Sequence, residues 1–248
     1  MAILVFDLLL ERDKAHTCPG YGGGQVCVRI AATAALPTRF GDYHAVAFWN
    51  EIDNKEHAAF VHGEAAIDGE DVPVRMHSEC LTGDAIGSLR CDCRDQLEAS
   101  LRQLAEMPHG ILLYLRQEGR GIGLTNKIRA YELQDHGLDT VEANNALGFR
   151  DDERDYSVAA HMLDSLGVKS VRLMTNNPRK IAGLEQLGIK VTGRIPLVVP
   201  ANRYNRHYLR TKATKSGHLM PDPALEQAER PIVTTRRGTS SEPIDVAG

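Results

Sequence analysis

Apolar positions change their spacing along this chain, and the change divides it. Val26–Ala35 and Tyr43–Trp49 follow the two-residue period of strands, with Leu36, Pro37 and Phe40–Asp42 predicting the turn between them. His57–Ile67 and Val72–His77 read as further strands, so the first third is β-rich. After Cys93 the period lengthens. Leu97, Leu101 and Leu104 place one apolar face on a helix over Asp95–Met107. The compact run Gly110–Leu115 predicts a buried strand, and Ile122–His136 a helix closed by Gly137. Asp151 or Asp152 is positioned to cap a helix running to about Leu166, ended by Gly167. Ser170–Met174 predicts a strand. Asn177 as N-cap and Pro178 at the first helical position start a helix that ends near Leu187 and Gly188. Ile189–Val198 holds another strand or two. Helices alternating with buried strands predict an α/β fold, mixed β-sheets layered with helices and continuous with the β-rich N-terminal third.

The ends depart from this pattern. Met1–Leu10 is apolar but interrupted by Asp7, and reads as a strand or an ordered leader too short to span a bilayer. Cys18–Gln25, with Pro19, Gly20 and Gly22–Gly24, predicts a loop, so residues 1–25 form a leader. From about Pro221 the chain turns Pro-, Ser- and charge-rich without apolar periodicity, which predicts a disordered tail over 221–248. The folded unit is then 26–220. Composition agrees: 42% hydrophobic and 25% charged residues are ordinary for a globular protein. No stretch is long and apolar enough for a membrane, so a cytoplasmic protein is expected. The formal net charge of −4 attracts no nucleic-acid backbone over long range. A nucleotide ligand must instead meet a local cluster of cations.

Five cysteines, Cys18, Cys27, Cys80, Cys91 and Cys93, do not make a disulfide framework in a chain of this length. Three of them lie in SECLTGDAIGSLRCDC, two separated by one residue and the third one glycine-bearing loop away. Such a loop can fold back so that three thiolates meet one ion, and thiolates favour zinc. Three ligands leave a position for water, whose pKa zinc lowers toward about 7. The spacing alone is equally compatible with a structural site completed by Cys27 or His77, or with buried thiols. Glu79 and Asp84 read as surface charges or as hydrogen-bond partners of such a site.

Three segments gather cations and backbone donors. Arg75 precedes the cysteine loop. RQEGRGIGL sets Arg116 and Arg120 around a turn whose glycines let backbone approach a ligand. TNNPRK runs into a helix start with Arg179 and Lys180 beside free N–H groups, a place for phosphate. Together they point to a phosphorylated ligand; no Walker A sequence is present. In RDDERDY the acidic residues are explained by a helix start, and the alternative makes Asp152 a general base or a support holding Arg154 against a phosphate. Tyr131 sits on the helix after the glycine turn, where a buried phenol ties its hydroxyl to something.

Taken in series, HSECLTGDAIGSLRCDCRDQLEA, LLYLRQEGRGIGLTNKIRAYELQD, DTVEANNALGFRDDERDY, LMTNNPRKI and HYLRTKATKSGHL resemble the GTP cyclohydrolase II family over about Ala31–Met220. The resemblance implies that Cys80, Cys91 and Cys93 hold one zinc ion per subunit. It implies that Arg75, His77, Ser78, Glu79, Gln96, Glu118, Gly119, Arg120, Thr140, Thr175 and Lys180 bind GTP, with magnesium on the triphosphate. It makes Asp152 the proton acceptor, Arg154 the nucleophile toward the α-phosphate and Tyr131 an aid to ring opening. Arginine is effectively always protonated, and the residues themselves read Arg154 as an electrostatic clamp. The implied reaction takes GTP and water to formate, pyrophosphate and 2,5-diamino-6-(5-phosphoribosylamino)pyrimidin-4(3H)-one, the first step of riboflavin biosynthesis. The resemblance also implies a homodimer. Two alternatives are an enzyme that stops at a formamidopyrimidine and a non-catalytic, zinc-bearing regulator that binds guanine nucleotides. The dihydroxybutanone phosphate synthase domain often fused to this family has no room here.

Overall fold

The computed structural model describes residues 5–14, 27–51, 53 and 55–219. One seven-stranded sheet organises them, in the order β1 (Val28–Thr38), β2 (Gly41–Asn50), β3 (His57–His62), β5 (Gly110–Leu115), β4 (Val72–Ser78), β6 (Val171–Met174), β7 (Val191–Ile195). The first three strands and β5 pair antiparallel; β5, β4, β6 and β7 pair parallel. Among the described residues the α-helices are α1 (Val5–Lys14), α2 (Leu81–Asp84), α3 (Cys93–Ala105), α4 (Gly123–Asp135), α5 (Thr140–Ala146), α6 (Ser157–Ser165), α7 (Pro178–Gln186) and α8 (Arg206–Thr214). No described helix is long and apolar enough to cross a membrane.

Strand alternation explains the layers. Val72, Val74 and Met76 of β4 and Ile111, Leu113 and Leu115 of β5 share a core with Phe6 and Leu9 of α1, Met162 and Leu163 of α6, and Leu184 of α7. Leu112 and Tyr114 point the other way and pack with Leu97, Leu101 and Leu104 of α3. Each fully buried aliphatic side chain of this kind contributes roughly 1.5–3 kcal/mol over its exposed state. On β4 the same alternation turns Arg75 and His77 away from the main core.

The expected turn at Leu36–Pro37 lies two residues later. Strand β1 runs on through Pro37, paired with Asp42, to Thr38 opposite Gly41. Because β1 is an edge strand, a residue without an N–H is tolerated there. The Thr38 hydroxyl closes the hairpin, donating to Gly41 O at 2.7 Å and accepting from Phe40 N at 3.1 Å. Strand β3 stops at His62, five residues short of expectation, and the chain turns at Gly63 into a short 3-10 segment, Glu64–Ala66. The stretch read as a strand or leader is, where described, helix α1. The glycine loop and the tail after 220 lie outside the described residues.

The chain leaves β4 for β5 on one side, then returns past β4 to β6 on the other. The carboxyl ends of these strands therefore open at a switch in connection direction, where α/β sheets place ligands.

Candidate functional site

Cys80 follows the end of β4, and α2 folds the chain back so that Cys91 and Cys93 return to it at the start of α3. The three Sγ atoms lie within 4.8 Å of one another, with Cys80 and Cys91 at 3.6 Å. Gly83 is the residue that permits this. A Cβ there would sit 2.8 Å from Cys91 Sγ and 3.0 Å from Cys80 Sγ. Hydrogen bonds from Cys91 and Cys93 hold the Cys80 thiol far below its ordinary range, helped by the Lys127 ammonium. The same sharing, with burial, pushes Cys91 up to about 11 and Cys93 higher than an ordinary thiol. Three sulfurs this close oppose one another's ionisation, and a cation shared by all three relieves that opposition. The donor set thus fits a thiophilic divalent ion such as zinc. Among the described residues neither Cys27 nor His77 belongs to the group.

His77 is buried beside this loop and donates from Nε2 to Asp84 Oδ2 at 2.9 Å. The same oxygen accepts from Tyr114 OH at 2.9 Å and from Cys80 N at 3.0 Å. With Nε2 engaged, Nδ1 of His77 is left buried without a partner. Asp84 thus orients the histidine. Burial, partly countered by Asp84, lowers the pKa of His77 and favours the neutral ring.

The loop after β5 is fastened to the cysteine loop by Glu118. Its carboxylate accepts from Leu81 N at 2.7 Å, Gly119 N at 2.8 Å and Lys127 Nζ at 2.7 Å, and Lys127 also reaches Cys80 Sγ at 3.1 Å. Gly119 and Arg120 both have positive φ, 62° and 60°. The second is an uncommon conformation for a side-chain-bearing residue and turns Arg120 toward Asp151. Gly121, at φ 97°, lies so close to the Glu153 backbone that a Cβ would approach it to 3.0 Å.

Cations converge on the same cleft. Arg75 is held by the Met174 carbonyl at 3.1 Å and by Gln96 Oε1 at 2.6 Å, and Lys180 by the Met76 carbonyl at 2.7 Å. Arg154 forms a fork with Asp152 and lies 3.4 Å from Ser78 Oγ. Lys212 pairs with Asp92 at 2.9 Å. No described carboxylate forms an ion pair with Arg75 or Lys180. Burial lowers Arg75 to about 10. Burial, then the charges of Arg154 and Arg75, lowers Lys180 well below a normal lysine. Buried cations without counter-ions are costly, and a polyanionic ligand relieves that cost. Lys180 also sits in the first turn of α7, whose Asn177 side chain accepts from Arg179 N at 2.9 Å.

Every site residue that the family resemblance implies, except Asp152, lines this one cleft, whereas Arg116, Arg179 and Asp84, read from the segments themselves, do not. Asp152 stands behind Arg154. The carboxylate of Glu79 lies 3.5 Å from Arg116 Nε, Gln96 joins Arg75 to Asp92, and Thr140 opens α5. The Tyr131 hydroxyl is 3.4 Å from Thr82 Oγ1, and burial pushes its phenol up to about 12. The cleft also contains Lys127, Asn144, Tyr208, Lys212 and His218, which sequence reasoning passed over. Lys127 had a signal, since it stands one turn before Tyr131 on the same helical face. The acidic run Asp151–Asp155 does not begin a helix as expected. Its carboxylates serve Arg120, Arg154 and Arg150, and α6 starts at Ser157, whose N–H Asp155 accepts at 2.7 Å.

Residues 28–196 match the family described as GTP cyclohydrolase II. The riboflavin biosynthesis protein RibBA of Bacillus mycoides is 58% identical over 185 residues, 75% of this chain and 46% of its own length. The protein of the same name from Synechocystis is 58% identical over 186 residues, 75% of this chain and 34% of its own. The chain therefore spans about half or less of the length of these curated relatives. A solved structure of RibBX, a two-domain 3,4-dihydroxy-2-butanone 4-phosphate synthase from A. baumannii, covers 76% of this chain and 44% of its own. It shows 17% identity and a TM-score of 0.39, a likeness too slight to bear on the site.

Proposed function

The chain belongs to the GTP cyclohydrolase II family, and from that premise we propose that it opens the imidazole ring of GTP. Formate and pyrophosphate leave, and 2,5-diamino-6-(5-phosphoribosylamino)pyrimidin-4(3H)-one remains as the first intermediate of riboflavin biosynthesis. The observation that carries the reading is one cleft holding both a three-sulfur metal-binding cluster and buried cations that lack carboxylate partners.

Cys80, Cys91 and Cys93 would hold the zinc, and when bound it supplies Lewis acidity that brings the pKa of water toward about 7. Arg75 and Lys180 take up phosphate charge, with Gln96 fixing the Arg75 plane and Lys180 carried on the first turn of α7, whose own N–H groups are engaged by Asn177. His77, oriented by Asp84, offers Nδ1 as a proton acceptor at the purine. Tyr131, whose hydroxyl keeps its proton at neutral pH, is placed to donate it during ring opening. Ser78, Glu79, Glu118, Gly119, Arg120, Thr140 and Thr175 complete the wall that holds the nucleotide. Magnesium accompanies the triphosphate.

Arg154 acts as a clamp on the phosphate. Burial would lower its pKa, but the Asp152 carboxylate outweighs burial and holds the guanidinium above its ordinary value. Asp152 itself is kept ionised by that pair against the effect of burial. Both carboxylate oxygens are engaged, so Asp152 positions Arg154 first, and its role as a proton acceptor requires that fork to open.

We take residues 26–220 as the catalytic unit. Reduced thiols as metal ligands suit the cytoplasm. The partner is a second copy of this chain, met through the apolar side chains left exposed around the cysteine loop and α4, Ile86, Leu89, Leu124 and Ile128. The deciding experiment incubates the protein with GTP, zinc and magnesium and assays formate and pyrophosphate together. Equimolar release is expected; pyrophosphate without formate overturns the ring-opening reading.

A further inference from the structure

Helix α8 and the residues that follow it to Leu219 run along the cleft as a strap. Little apolar packing holds the strap, since Leu209 is the one fully buried aliphatic side chain of α8. Its fastenings are polar, and they reach four segments around the cleft. Lys212 binds Asp92, between two of the clustered cysteines, at 2.9 Å. Lys215 binds Asp139 and, at 3.0 Å, Glu142 beside the start of α5. Ser216 Oγ donates to Asp151 Oδ2 at 3.2 Å, and Leu219 N donates to the Asn176 carbonyl at 2.8 Å.

This strap turns Tyr208, Lys212 and His218 into the cleft. Nδ1 of His218 is buried without a hydrogen-bond partner in the protein. Burial and the facing charges of Lys212, Arg120 and Arg154 lower the imidazole to about 4, so it is neutral near pH 7. The Asp151 carboxylate, which neutralises Arg120, is shared with Arg179 and Ser216. The His218 ring lines a cleft in which Arg75 and Lys180 have no described carboxylate partner and Arg120 shares Asp151 with Arg179, so an anionic oxygen there finds both spare positive charge and an unused ring nitrogen.

We propose that residues 206–219 are part of the nucleotide site, with His218 and Lys212 contacting the phosphate chain of the ligand. The assignment rests on the polyphosphate reading of the cleft given above. A phosphate oxygen set among these groups supplies the missing negative charge and accepts a hydrogen bond from the imidazole. Lys212 then divides its ammonium protons between Asp92 and the ligand, so nucleotide binding tightens the strap.

The test uses the full chain and its His218→Ala, His218→Gln and Lys212→Met variants, each checked for unchanged zinc content and melting temperature. Calorimetry measures the binding of inorganic pyrophosphate and of guanosine, and steady-state assays give KM and kcat for GTP. His218→Ala and Lys212→Met are expected to weaken pyrophosphate and raise the GTP KM by about 10-fold, leaving guanosine affinity unchanged, with His218→Gln recovering part of the loss. Equal weakening of guanosine and pyrophosphate, or no change in either, overturns the proposal. Because Nδ1 of His218 makes no protein hydrogen bond, His218→Ala keeps the question open to a clear answer even where Lys212→Met undocks the strap. Failure of the wild type to release formate from GTP defeats the proposed reaction, while the pyrophosphate measurement still decides the strap.

Discussion

Arg154 and Asp152 face each other through two parallel hydrogen bonds, Nε to Oδ1 at 2.7 Å and Nη2 to Oδ2 at 2.5 Å. The fork fixes the guanidinium plane and leaves Nη1 on the Ser78 side. Lysine would keep the charge and lose the fork. Arg154→Lys is therefore expected to retain pyrophosphate release at roughly 1–10% of the wild-type rate, consistent with losing one oriented electrostatic contact. Single-turnover pyrophosphate release measures this. Wholesale loss, with GTP binding intact, assigns Arg154 the covalent role instead.

Gly83 has no room for a side chain, because its Cβ direction points at Cys91 Sγ and Cys80 Sγ. Gly83→Ala is expected to lower the melting temperature of the metal-free protein, because the added methyl must push the sulfurs aside, and to weaken zinc affinity by about 10-fold or more, as a displaced ligand shell does. Competition with a chromophoric chelator reads the affinity. Undiminished zinc binding shows that these sulfurs are not the ligands.

Tyr131 holds its proton firmly and sits between Thr82 and the Arg90 guanidinium, which lies 4.5 Å above its ring. Tyr131→Phe keeps the ring and deletes the proton. Formate release is expected to fall by about 100-fold, within the usual range for a general acid, while nucleotide affinity stays near wild type. Mass spectrometry of the product decides whether the variant stalls at a formylated pyrimidine; full-rate formate release removes Tyr131 from the chemistry.

The sequence was most legible where packing and local chemistry agree. Gly110–Leu115 is a strand residue for residue, because a short apolar run beneath two helical layers has no other use. The Asn177 cap with Pro178 is as expected, since that pairing satisfies the local backbone by itself. Helix α5 went unseen although Asp139 and Glu142 form a capping box, because seven residues leave no room for an apolar period. Helix α8 went unseen for the opposite reason. Its residues answer to charges on distant loops, Asp92 above all, which only the folded chain brings near. Asp151 and Asp152 looked like helix caps because their partners, Arg120 and Arg154, become visible only in three dimensions for the first and by a turn, not a helix, for the second.

His218 gives the strap a pH dependence. Its folded pKa, about 4, lies below the ordinary value of 6.5. Between those values the undocked state binds more protons, so docking is strongest above about pH 6.5 and weakens as pH falls toward 4. The charges facing the ring, Lys212, Arg120 and Arg154, stay positive throughout and do not reverse the sign. Hydrogen exchange over residues 206–219 is expected to quicken relative to α6 between pH 7 and pH 5, after correction for intrinsic rates. His218→Gln is expected to abolish that difference; an unchanged profile in the variant refutes the assignment.

Glu118 clasps Leu81, Gly119 and Lys127 at once, so one carboxylate ties the turn that carries the sulfurs to the turn that carries Arg120. Under the proposed function, those two turns would hold the zinc and face the phosphates, so exchanging Glu118 for glutamine would loosen both together.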